Sequence, residues 1–167
     1  DYNTAFGASS LGANTTASSN TALGFSALKV NTTGTRNVAV GAYALDGSST
    51  GNYNVALGYG SLGANTTHNN VAIGYDAATT NTTGGNLVAI GYEALRANTT
   101  GSNSIGIGYQ ALYTCTTGAE NIAIGLQSLY SLTTANYNVA IGYDAGEDVT
   151  TGDKNNFLGW RAGYNVT

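Results

Sequence analysis

The sequence predicts an all-β protein, a parallel β-solenoid (β-roll) of about ten stacked coils of about 17 residues each. Three observations carry that prediction. A glycine recurs at Gly7, Gly24, Gly41, Gly58, Gly74, Gly91, Gly108, Gly125, Gly142 and Gly159, spaced by 17 residues except for 16 between Gly58 and Gly74. Before it stands a large, tiny, large triplet such as Val88-Ala89-Ile90, which has the period of two that marks a strand. After it, eight and nine positions on, comes a Thr pair framed by turn residues, as in Asn98-Thr99-Thr100-Gly101. The copies run from end to end, so residues 1–167 read as a single repeat domain.

Each part of the repeat asks for a definite local structure. Positions −3 and −1 from the glycine are bulky and apolar in the central copies, and −2 is Ala or Gly in every copy but the last, where it is Phe157. The strand therefore has one bulky face and one small face. The expectation is that the bulky face fills each coil, while the small face lets another chain approach laterally. Position +1 is mostly aromatic (Phe25, Tyr59, Tyr75, Tyr92, Tyr109, Tyr143, Trp160) and shares the parity of the bulky face, which predicts burial. Position +3 is Ala or Ser, and +4 is mostly Leu. The segment Tyr92-Glu-Ala-Leu-Arg-Ala97 looks helical locally, but its Gly-bounded, Asn-Thr-Thr exit limits it to one turn. The Thr pair reads as a second short strand, and its second members, Thr16, Thr33, Thr50, Thr67, Thr83, Thr100, Thr117, Thr134 and Thr151, as a structural ladder. Stacking puts like residues about 4.8 Å apart, so the Asn of Asn37, Asn54, Asn70, Asn121 and Asn138 should bond side chain to side chain along the axis.

Charge follows the same frame. Only 8% of residues are charged and the net charge is −4. Apart from Asp1, every charge lies at +2, +5, +6, +11 or +12, which marks those offsets as solvent-facing corners. Like charges repeated at coil spacing repel, so neutral Asn and Thr carry the polarity. The same numbers exclude a basic nucleic-acid footprint. No run of residues is apolar enough to span a membrane. The single Cys115 excludes an intrachain disulfide framework, and it stands where other copies have Asn, as a ladder substitution. No basic and apolar leader opens the chain.

Candidate chemistry is sparse. Asp144, Glu147, Asp148 and Asp153 form the densest acidic group and are the one place where oxygen ligands for a cation gather. They sit at corner offsets that hold charges elsewhere, so no metal and no cofactor is expected. His68, the one imidazole, lies in the shortened turn without a nucleophile beside it, and reads as a turn residue. Tyr53, Tyr113, Tyr130, Tyr137 and Tyr164 lie at corner offsets and are the expected exposed aromatics, candidates for surface contacts. Asn-Thr-Thr is also an N-glycosylation sequon at Asn14, Asn31, Asn65, Asn81 and Asn98, with Asn165-Val-Thr in addition. Each coil is expected to bury about three sizeable apolar side chains, roughly 5–9 kcal/mol. Ordering costs roughly 1–2 kcal/mol per residue, so lateral association of chains is expected.

Asn-Val-Ala-Ile-Gly repeated down a chain resembles the left-handed β-roll head of YadA-type trimeric autotransporter adhesins. The longer unit, Asn-Val-Ala-Ile-Gly-Tyr-x-Ala-Leu…Asn-Thr-Thr-Gly, is similar to repeats of bacteriophage tail fibres and related bacterial surface proteins. The likeness covers essentially the whole chain, although the unit is longer than in the adhesin heads, and no anchor, stalk or fibre chaperone accompanies it. It implies a left-handed homotrimeric fibre, of which these residues look like an excerpt. The functional expectation is a structural and adhesive segment, extracellular, on a cell surface or on a virion, with no enzymatic activity. Its partners would be itself and possible host-surface glycans or receptors, and it would bind no nucleic acid. The alternative is an ice-binding solenoid that uses the Thr-Thr ladder.

Overall fold

The computed structural model describes residues 2–166. It is all-β, with ten three-residue strands among the described residues: β1 (Thr4–Phe6), β2 (Thr21–Leu23), β3 (Val38–Val40), β4 (Val55–Leu57), β5 (Val71–Ile73), β6 (Val88–Ile90), β7 (Ile105–Ile107), β8 (Ile122–Ile124), β9 (Val139–Ile141) and β10 (Asn156–Leu158). They form one parallel sheet in sequence order. Each strand pairs with its neighbours in strict repeat register, so Val71, Ala72 and Ile73 lie beside Val88, Ala89 and Ile90. The shortened coil keeps this register across β4 and β5. The chain is therefore the β-solenoid that its repeat predicts, and no helix among the described residues is long and apolar enough to cross a membrane.

Only the strand is extended; the rest of each coil is turns. Residues +2, +4 and +12 take left-handed backbone angles, as at Glu93 (φ 53), Leu95 (φ 52) and Asn103 (φ 59). Overlapping turns follow the anchor, with Leu95 N–H donating to Ala111 O in the next coil and Asn98 N–H to Leu95 O in its own. These turns account for the helical look of residues 92–97 without a helix. The anchor glycine itself has φ near 133 at Gly91, and a Cβ there would run into the carbonyl of Gly108 stacked beside it. No other residue type fits both demands.

The Thr pair is not a second strand. Thr82 N–H and Thr83 N–H both donate to the Thr99 carbonyl, at 2.9 and 3.1 Å. In a strand, successive N–H groups point opposite ways, so two on one carbonyl require a bend.

The sheet's orientation reverses the expectation from the sequence. The small residue of each strand points inward: Ala22, Ala39, Ala56, Ala72, Ala89, Ala123 and Ala140 are fully buried. The Val and Ile on either side face outward and are half-exposed. The core column is the +4 Leu (Leu28, Leu45, Leu62, Leu95, Leu112, Leu129), packed among Ala, Ser and Asn. A 17-residue coil closes tightly on itself, and one Leu fills its width; two bulky strand residues per coil would not fit. A coil thus buries at most two large apolar side chains, usually one, and two where Leu87 joins Leu95 and Leu132 joins Leu129, rather than three.

The interior is correspondingly polar. In the −4 column, Asn37 N–H donates to Asn20 Oδ1, Asn54 N–H to Asn37 Oδ1 and Asn70 N–H to Asn54 Oδ1, at 2.9, 2.9 and 3.0 Å. The ladder is mainly backbone to side chain rather than the amide-to-amide chain expected. Asn20, Asn37, Asn54, Asn70, Asn121 and Asn138 each turn Nδ2 back to a backbone carbonyl, as in Asn37 to Gly51 O at 2.7 Å. Direct side chain to side chain bonds occur in this column only near its C-terminal end, Asn138 Nδ2 to Asn121 Oδ1 at 3.2 Å and Asn155 Nδ2 to Asn138 Oδ1 at 3.1 Å. They occur also in the +7 column, Asn81 Nδ2 to Asn65 Oδ1 at 2.9 Å and Asn98 Nδ2 to Asn81 Oδ1 at 2.8 Å. Cys115 occupies that column, fully buried, and burial pushes its thiol up to about 11.

Candidate functional site

With Ala inside, the outer face of the sheet is a continuous apolar band. Its columns are −3 (Val or Ile in β3 to β9), −1 (mostly Ile) and +1 (mostly aromatic), and no charged residue enters any of them. The +1 column shares the parity of the bulky residues but is exposed rather than buried: Phe25 49%, Tyr59 48%, Tyr109 47% and Trp160 72%. Tyr59, Tyr75, Tyr92 and Tyr109 are stacked in turn, with centroids 5.2–5.3 Å apart and planes within 10°. Tyr43, one position over, and Phe25 continue the row by edge-to-face contacts. Each ring covers part of the face of the next, which withdraws these faces from sugar stacking. The expectation of a buried aromatic column is thus corrected: the column lies on the outside and widens the band.

The corner tyrosines do not form one site. Tyr53 and Tyr137 lie on the +12 corner, several coils apart and each 52% exposed. Arg36 lies over the Tyr53 ring at 5.3 Å and donates to its hydroxyl at 2.7 Å. Tyr113 and Tyr130 lie on the +5 corner, half-buried and stacked on each other at 5.1 Å. Arg96 sits over Tyr113 and is held by Glu93 at 3.4 Å. Tyr164 packs under Arg161 at 3.6 Å.

The acidic group is spread over two corners. Asp153 accepts from Asn136 N–H at 2.6 Å and Asp148 from Asn165 N–H at 3.2 Å. Asp144 and Glu147 lie near Arg161, and desolvation raises both carboxyls, with the Asp144 and Asp148 charges raising Glu147 further. Among the described residues no three His, Cys, Asp or Glu side chains converge as metal ligands, and no pocket opens.

The two threonines of each pair divide their labour. The first donates its hydroxyl to the carbonyl of its counterpart one coil on, as from Thr82 to Thr99 O at 2.9 Å and from Thr99 to Thr116 O at 3.0 Å. The ladder bonds therefore belong to Thr15, Thr32, Thr66, Thr82, Thr99, Thr116 and Thr133. The second threonines, named as the structural ladder from sequence, are exposed except Thr67, and their hydroxyls make no hydrogen bond among the described residues. Thr67 itself falls in the glycine column: its carbonyl accepts from Asn54 Nδ2 as the Gly51 carbonyl does from Asn37. The missing residue of the short coil is thus the second threonine, and the exposed row is broken there. His68 fills the corner, its Nδ1 accepting Asn52 N–H at 2.9 Å where other coils use Asn or Asp oxygens.

No family model, curated protein or solved structure matches the chain. Fold and surface together define a β-solenoid repeat protein with one apolar, charge-free side.

Proposed function

We propose that this chain is a structural segment of an extracellular, cell-surface or virion fibre, a non-enzymatic rod that associates with copies of itself along its apolar band. The observation that carries the reading is the band itself: an uncharged surface along the rod, with half-exposed Val and Ile through β3 to β9 and a mostly aromatic row beside them. Ten coils at about 4.8 Å and three columns roughly 15 Å wide give a footprint on the order of 700 Å². A standard interface takes about 800 Å² from each partner, and patches of this size on soluble proteins mark interaction sites. The apolar band supports lateral association through the face of the strand opposite to the one expected from sequence.

Side-chain volume favours copies that run the same way. Parallel rods related by rotation about their long axis bring the slim Val column of one against the Tyr column of the next, in a pair or in the trimer that the family likeness implies. Antiparallel rods would set Tyr on Tyr and Val on Val, which alternately crowds and voids the seam. The corners, with Tyr53 and Tyr137 exposed, stay outside such a seam and are the positions left to touch a host glycan or receptor.

Sedimentation or light scattering tests the reading. The wild-type mass should be a multiple of 16.9 kDa, and Ile90→Glu with Ile107→Lys should return it to the monomer while the circular dichroism of the coil persists. A wild-type monomer at 100 μM sinks the proposal. The rival ice-binding reading draws on the hydrogen-bond-free outer Thr row. That row is a single column and is interrupted at Thr67, so the fibre is preferred; clear thermal hysteresis would reverse the order.

A further inference from the structure

Four of the sequons hold their asparagines inside the rod. Asn31, Asn65, Asn81 and Asn98 are fully buried, and Nδ2, the atom a glycan would join, is engaged in each. Asn31 Nδ2 donates to Gly34 O at 3.0 Å, and Asn65 Nδ2 to Thr67 O at 3.0 Å. Asn81 Nδ2 uses both protons, on Asn65 Oδ1 at 2.9 Å and Gly84 O at 2.8 Å. Asn98 Nδ2 does likewise, on Asn81 Oδ1 at 2.8 Å and Gly101 O at 3.0 Å. Asn14, half-buried in the first coil with its Nδ2 on Ala17 O at 3.4 Å, and Asn165, exposed, are less constrained.

We infer that folding and N-glycosylation of this repeat are mutually exclusive. The transfer joins Nδ2 to C1 of a lipid-diphosphate-linked oligosaccharide. The C1–O bond to phosphate breaks, Nδ2 gives up one proton, and the lipid diphosphate leaves. On the folded rod the acceptor nitrogen has no access to such a donor. On the unfolded chain the same reaction takes one of the two protons that Asn81 and Asn98 both use, and at all four sites it puts a sugar where the structure has no exposed surface. A single modified sequon in the middle of the stack blocks the coils on both sides, because each coil's turn bonds to the next. The rod is therefore suited to assembly only where the chain does not meet an N-glycosylating enzyme before it folds.

The geometry also supplies a clean way to remove the sequons. The threonine that completes each one is the second of its pair, so Thr33→Ala, Thr83→Ala and Thr100→Ala remove hydroxyls that bond to nothing. Thr67→Ala stands in a column where Ala17 and Ala135 already occur.

The test is secretion of the 167-residue chain from yeast behind a cleavable leader, with and without an inhibitor of lipid-linked oligosaccharide synthesis. Expected is that peptides glycosylated at Asn31, Asn65, Asn81 or Asn98 occur only in protease-sensitive chains. The inhibitor, or the fourfold Thr→Ala variant, should raise the protease-resistant fraction at least tenfold. A protease-resistant rod with sugar on any of these four asparagines overturns the inference. So does an equal yield of resistant wild type with and without the inhibitor. In a second arm, rod folded in bacterial cytoplasm is offered the enzyme and lipid-linked donor. It should stay unmodified, whereas urea-unfolded chain accepts sugar and no longer refolds; modification of the folded rod at these sites overturns the inference independently.

Discussion

Leu95 and Leu112 have φ of 52 and 54, angles that cost an L-residue about 1–2 kcal/mol. Each is fully buried, which returns about 2–3 kcal/mol, so leucine persists there because its side chain fills the coil. The +12 corner makes the same backbone demand without burial. Arg36, Tyr53, Glu120, Tyr137 and Lys154 are left-handed and exposed, while Asn69, Asn86 and Asn103 occupy the same place in neighbouring coils. Asn enters this region more readily than other side chains, and Asn86 Nδ2 already donates to Asn103 Oδ1 at 3.0 Å. Glu120→Asn should therefore stabilise the rod by roughly 0.5–1 kcal/mol, part of the left-handed penalty of about 1–2 kcal/mol. Urea unfolding at constant m-value would measure it. Nothing in the sequence announced these angles, because Leu, Tyr and Glu are not residues from which a left-handed corner is read. The +12 corner was legible from charge, but the +2 position, which charge also marks as solvent-facing, is partly buried, and Asp144 there is only 8% exposed.

At the scale of the coil, the last two units depart from the repeat together. The +4 Leu becomes Gly146 and Gly163, and the inward Ala of the strand becomes Phe157. A Cβ on Gly146 would come within 2.8 Å of the Phe157 ring, so one aromatic fills the space of the two missing leucines. Phe157→Ala should cost roughly 2–4 kcal/mol, the lower end of buried Phe truncations since the ring is half-buried. Gly146→Leu alone should cost about 1–3 kcal/mol by overpacking, and the double variant should recover most of the loss. A double-mutant cycle in denaturant checks this, and additive single effects would refute the exchange. The sequence showed Phe157 only as an exception. More generally, a period of two reveals that Val, Ile and Tyr share a side while Ala takes the other. It does not say which side is inside. That sign depends on the width of the closed coil, which one Leu fills, and no single strand records it. The strand register, the anchor glycine and the strict coil length were readable because each is a repeated local necessity.

For the whole molecule, burial raises Asp46, Asp76, Asp144 and Glu147 above their ordinary values, desolvation being the first cause in each. Lys29, Arg96 and Arg161 offset it only in part. The folded rod thus takes up protons at higher pH than the unfolded chain does. Stability should rise as pH falls through these raised values, and level off only below the ordinary carboxylate range near about 4. Melting followed by circular dichroism should give a higher midpoint at pH 4.5 than at pH 7; a lower one would contradict the assignment.

The stacking direction has a mechanical consequence. Among the described residues every hydrogen bond between coils reaches only the adjacent coil, and none reaches across two coils to clamp the stack. A pull on the two ends meets one coil at a time. Each coil that peels away exchanges about 5 Å of rod for roughly 60 Å of slack chain, at about 3.5 Å per residue. The molecule is stiff until a coil yields and then lengthens in equal steps, so a load that would snap a rigid tether is absorbed as extension.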